Sequence, residues 1–116
     1  FFPASDKLAA GMMIGAQNDD KAVGEFAHAI MRAVWIEERN IADTDTAIDI
    51  ANACGLDGQA LADAAHSPEI EAQWQANTEE AISRNVMGAP FYIIGEHTLW
   101  GQDRLMFVEE ILAAGG

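Results

Sequence analysis

Apolar residues recur at helical spacing along residues 4 to 86, broken by short polar stretches, and the period shortens after that. Leu8, Met12 and Ala16 follow one another at every fourth position and predict a first helix, with Ser5 or Asp6 as its cap. Asn18-Asp19-Asp20 interrupts it. Val23, Phe26, Ala27, Ile30 and Val34 form one stripe of a second helix, with Glu25, Arg32 and Glu38 outside that stripe. "NIADTDT" breaks the pattern again, and Thr44 or Asp45 is expected to cap a third helix with the stripe Ala47, Ile50, Ala51 and Cys54. Gly55 is suited to the left-handed conformation that ends it. A short helix follows Asp57 around Leu61 and closes near His66. Ser67-Pro68 starts the last long helix: serine offers the cap oxygen, and proline gives up an amide that has no helical partner. That helix is expected to reach about Arg84, with Ile70, Trp74, Asn77 and Ala81 facing inward and Asn85 as a left-handed terminator.

"FYII" (91–94) is a short unbroken run of strand formers, and Gly95-Glu96 supplies a two-residue turn into "HTLW" (97–100). Gly101-Gln102-Asp103 then opens a final helix that repeats through Leu105, Val108, Glu109 and Leu112. The chain therefore divides into a helical part, residues 1–86, and a strand–turn–strand–helix part, residues 87–116. A strand apolar on both faces expects cover on both sides and further strands beside it, and a lone hairpin is marginal. Together with the apolar opening Phe1-Phe2-Pro3, this predicts that the chain is one portion of a longer protein. For these 116 residues on their own it also predicts self-association, as a homodimer or otherwise, through the exposed strand edge.

Charge narrows the range of partners. The chain of 116 residues carries 19 acids against 6 bases, a formal net charge of −13. Such a surface repels phosphate backbones and anionic membranes, so neither nucleic acid nor membrane is expected as a partner. No apolar run approaches the ~20 residues of a membrane span, and a cytoplasmic location is the expectation. Cys54 is the only cysteine, which rules out an internal disulfide and reads as a small core hydrophobe. His28, His66 and His97 share no ligand spacing, so no metal site is expected. Asp43, Asp45 and Asp49 lack the alternation and glycine of a calcium loop.

The helical block followed by "GAPFYIIGEHTLWGQDRL" resembles the C-terminal portion of 2-hydroxychromene-2-carboxylate isomerases, relatives of kappa-class glutathione transferases. "AVWIEERNIAD" and "NTEEAISRNVMGAP" resemble the same family. The resemblance implies an α/β thioredoxin-like fold of DsbA and kappa type with an inserted all-α domain. Residues 1–86 would be part of the insertion and residues 87–116 the C-terminal ββα part of the thioredoxin-like domain. Asn85 departs from the glycine common in the family. The family's catalytic serine belongs to a first strand–helix turn, so no residue of this chain is assigned a catalytic role.

Glutathione is the cofactor the resemblance implies, and a small aromatic molecule the substrate. Cis X–Pro bonds occur at only ~5% of such positions, so spacing alone predicts a trans bond at Ala89-Pro90. The resemblance implies a cis bond, with the backbone of Ala89 pairing with the cysteinyl part of glutathione. Gln102 and Asp103 read on their own as helix-start residues, where an acid is favoured by ~0.3–1 kcal/mol. In the family that turn holds the γ-glutamyl end, the acid facing the ammonium and the helix amides the carboxylate. Trp100 is a hairpin-core aromatic or an aromatic substrate wall. Asn77 is a satisfied core amide or a polar group facing a substrate pocket. The activity implied is a glutathione-dependent isomerisation in aromatic-hydrocarbon degradation, in which the thiolate adds to an unsaturated chromene carboxylate and is later expelled. A DsbA-like thiol–disulfide oxidoreductase shares the proline corner but needs a Cys-x-x-Cys pair, and a noncatalytic helical interaction module leaves the corner without a purpose.

Overall fold

Capping chemistry fixes where several helices begin. The computed structural model describes residues 4–19, 21 and 23–115, without the side chain of Gln102; the Phe1-Phe2-Pro3 opening and Asp20 lie outside the described residues. Asp57 accepts the Ala60 amide at 3.1 Å and starts α4 (Gly58–Ala64). Ser67 Oγ accepts the Ile70 amide at 3.3 Å and starts α5 (Pro68–Ser83). The cap of α3 (Thr44–Ala53) is Asp43, one position before the expected pair, with its carboxylate taking both the amide and the hydroxyl of Thr46 at 3.0 and 2.9 Å. Asp43 wins because its carboxylate reaches the third helical amide, the donor that a cap satisfies. α1 (Lys7–Asn18) has no side-chain cap at Asp6.

The chain divides into two compact units, Phe1–Asn77 and Thr78–Gly116, with the division falling inside the sequence of α5. In the first, α1, α2 (Val23–Trp35), α3 and α4 enclose the core, with Phe26 and Met12 the largest fully buried side chains. The buried line of α2 is Phe26, Ile30 and Ala33, whereas the expected Ala27 and Val34 are only half-buried. The burial axis therefore runs one residue to the side of the predicted stripe. Helices α1 and α4 approach closely at Gly11, where a Cβ would fall 2.7 Å from the carbonyl oxygen of Ala65. Reciprocal amide bonds of 2.9 and 3.2 Å join Asn18 to Gln73, and Lys7 pairs with Glu71 at 3.2 Å, so the first turns of α5 are tied to α1. Both links are exposed, and the buried Ile70 makes the larger contribution to holding α5 there.

Beyond Ile70 the inward stripe predicted for α5 does not hold: Trp74 and Asn77 are exposed and Ala81 is half-buried. Spacing marks a face of a helix but does not supply the surface that covers it. Cys54 is likewise half-buried, at the C-cap of α3 against the core edge, where the thiol lies 3.9 Å from the carbonyl of Glu25. Gly55 follows with φ +81°, as a helix terminator requires.

In the second unit α5 closes at Asn85, with φ +59°. The Asn85 amide donates to Ile82 and that of Val86 to Ala81, at 3.1 and 3.0 Å. Strands β1 (Phe91–Ile94) and β2 (His97–Trp100) form an antiparallel hairpin in which Phe91 faces Trp100 and Ile94 faces His97. The turn is Gly95-Glu96, with Gly95 at φ +59°. A 3₁₀ turn, Gln102–Arg104, precedes α6 (Leu105–Ala113). No helix among the described residues is long and apolar enough to cross a membrane.

Candidate functional site

A single backbone bond draws the proline corner and the last helix start together. The chain leaves α5 at Asn85, runs through Val86-Met87-Gly88, and reaches the Ala89–Pro90 peptide, which is cis. Pro90 is the residue before β1, and its carbonyl accepts the Gly101 amide at 2.9 Å. Since Gly101 follows the last residue of β2, this bond extends the hairpin ladder by one rung and places the Gly101-Gln102-Asp103 turn beside the corner. Ala89 is exposed, and among the described residues its amide and carbonyl enter no hydrogen bond. It therefore presents an open donor and acceptor, the pattern by which an extended peptide pairs with a strand edge.

Two glycines shape the corner. Gly101 has φ +108°, and a Cβ on it would fall 2.7 Å from Asp103 Oδ1, so the Asp103 carboxylate folds back over the Gly101 backbone. A Cβ on Gly88 would fall 2.9 Å from Trp100 Nε1. The Gly101 carbonyl accepts the Arg104 amide at 3.2 Å and closes the 3₁₀ turn. The Asp103 carboxylate is exposed in the first turn of the C-terminal helical segment, where the helix dipole favours a negative charge.

Among the residues singled out in the sequence, Ala89, Pro90, Trp100 and Asp103 thus lie on one short segment of the second unit. The backbone of Gln102 is in the same turn, and its side chain lies outside the described residues. Asn77 belongs to the first unit, exposed on α5. Trp100 is 52% exposed, so it is not the hairpin-core aromatic expected. Sequence reasoning gave Gly88 no role, although a glycine two residues before a proline corner and twelve before a tryptophan was visible. Cys54 stands apart in the first unit; partial burial, and then the charge of Glu25, push its thiol pKa up and make it a poor nucleophile.

Residues 2–113 match the family described as DSBA-like thioredoxin domain. The chain belongs to that family. Its fold class is accordingly α/β thioredoxin-like of DsbA type, mostly helical here, with a two-stranded antiparallel sheet among the described residues. Within the DSBA-like family the chain is similar to 2-hydroxychromene-2-carboxylate isomerase of Sphingobium xenophagum, at 29% identity over 96% of this chain and 55% of that protein. It is also similar to 2-hydroxychromene-2-carboxylate isomerase of Pseudomonas sp. (strain C18), at 30% identity over 80% of this chain and 43% of that protein. The chain spans about half the length of these curated relatives.

Proposed function

We propose that the protein takes part in a glutathione-dependent isomerisation of the 2-hydroxychromene-2-carboxylate type, acting on a small aromatic substrate. The observation that carries the reading is the Pro90–Gly101 bond, which joins an open backbone edge to a carboxylate at a helix start within one segment. The donor set fits a γ-glutamyl tripeptide. The amide and carbonyl of Ala89 match the cysteinyl backbone, the Asp103 carboxylate matches the ammonium, and the backbone amides of Gln102 and Asp103, which open the turn, match the carboxylate of the γ-glutamyl group. The narrow spaces at Gly88 and Gly101 keep this edge uncluttered.

Glutathione, when bound, supplies a thiolate able to add to an unsaturated carboxylate and leave again, the step that permits bond rotation. The chain's own part would be to bind and orient: Ala89 would hold the cysteinyl unit through its backbone, and Asp103 would hold the γ-glutamyl end. Trp100 and Asn77 are carried as substrate-side candidates. The names of the two relatives favour the isomerase over a thiol–disulfide oxidoreductase. The test is isomerisation of 2-hydroxychromene-2-carboxylate by the full-length protein, followed by absorbance with and without glutathione. Turnover that requires glutathione is expected; turnover at the same rate without it would contradict the reading.

A further inference from the structure

Gly88 stands where the proline corner meets the hairpin, and the space beside its Cα is occupied. A Cβ there would fall 2.9 Å from Trp100 Nε1 and 3.1 Å from both Cε2 and Cζ2. Any other residue must displace the indole, the peptide leading into Ala89, or both. The indole is a rigid bicycle on the last residue of β2, and Trp100 is held in register opposite Phe91. The next residue, Gly101, donates its amide to Pro90 at 2.9 Å. Ala89 is thus flanked by two links to the same end of the hairpin: Gly88 to Trp100 through the ring, and Pro90 to Gly101 through the backbone.

If the first link only packed the hairpin, disturbing it would lower stability and leave ligand binding in the folded protein unchanged. The position of the contact argues for more. It braces the residue before Ala89, while the backbone bond braces the residue after it, so the direction of the Ala89 amide and carbonyl depends on both. We infer that Gly88 and Trp100 act as a pair of positioning residues for the Ala89 backbone edge; the inference rests on the glutathione cradle proposed above. Trp100 then serves the ligand from behind the corner.

The test is calorimetric titration of glutathione into the full-length wild-type protein, Gly88→Ala, Trp100→Leu and the double variant, with thermal melts of all four. Gly88→Ala should weaken binding by up to about 150-fold, the upper bound reached when the whole cost of forcing a methyl group into filled space falls on the Ala89 edge. Trp100→Leu should weaken it less, by loss of the brace alone. The double variant should bind no worse than Trp100→Leu, because the shorter side chain leaves room for the added methyl, and this non-additivity is the signature of a direct pair. Wild-type affinity in Gly88→Ala, or a double variant that shows the product of the two single losses, would overturn the pairing. Should Gly88→Ala not fold, the double variant measured against Trp100→Leu decides by the same criterion. Wild-type protein that does not bind glutathione contradicts the cradle, and the inference falls with it. Wild-type binding with unaffected variants removes the positioning role alone.

Discussion

Residues 8 to 70 supply every buried hydrophobic side chain among the described residues, whereas the unit from Thr78 onward supplies none. The helical unit is held by burial: Phe26, Met12, Ala33, Ala47 and Ala51 are removed from water where the helices meet. The hairpin unit keeps its shape through backbone geometry, with left-handed residues at Asn85, Gly95 and Gly101 and a bond from Gly101 to Pro90. Its large apolar side chains stay open; Met106 is 62% exposed and Ile82, Met87, Leu105 and Leu112 are exposed with it. Local turn chemistry can therefore hold an open backbone edge in place where the core is thin. The unit's glycines answer to local geometry: Gly95 and Gly101 hold positive φ, and Gly88 faces an indole that leaves no space for a Cβ.

Truncation should separate the two units most sharply. Phe26→Ala empties a fully buried site and should cost ~3–5 kcal/mol, while Phe107→Ala, at a site 41% exposed, should cost no more than about 1 kcal/mol. Urea unfolding of both variants measures the difference, and equal losses would mean that the hairpin unit carries a core of its own. A smaller effect is expected at the start of α3. Asp43→Ala removes the acceptor for the Thr46 amide and should cost ~1 kcal/mol, with Asp43→Asn restoring most of it. An Asn variant as unstable as the Ala variant would place the effect in charge rather than in the cap.

Cys54 should give the smallest effect. Its folded-state pKa is raised, first by burial and then by Glu25. The folded protein holds the thiol proton more tightly than the unfolded chain, so this stability is fully present below the ordinary thiol pKa. It is lost as pH rises through the higher folded value. Labelling with a thiol reagent at neutral pH should be slower than for a free cysteine, and Glu25→Gln should speed it modestly. A labelling rate equal to that of an unfolded control would contradict the assignment.

Much of this arrangement was legible in the sequence where a local cause acts alone. Ser67-Pro68, Asp57 and Gly55 mark helix ends by their own chemistry, and "FYII" and "HTLW" around Gly95-Glu96 fix the hairpin register. Where several residues compete, as at Asp43, Thr44 and Asp45, sequence narrows the cap to a neighbourhood and geometry chooses within it. Where an outcome depends on what lies opposite, spacing fails: Trp74 and Asn77 share a stripe with Ile70, yet of the three only Ile70 is buried. At the candidate site Ala89, Pro90 and Asp103 were legible through resemblance. Gly88 was not, because its role depends on an indole twelve residues away.

The central claim is that the segment from Gly88 to Asp103 is a cradle for glutathione, and Asp103 tests it most directly. Asp103→Asn keeps the size and part of the helix-start chemistry while removing the charge that would meet the glutamyl ammonium. Loss of one charge-assisted hydrogen bond should weaken glutathione roughly 10- to 150-fold in a calorimetric titration, with a melting temperature close to that of the wild-type protein. Unchanged affinity together with a lowered melting temperature would leave Asp103 as a structural residue of the turn and contradict the cradle.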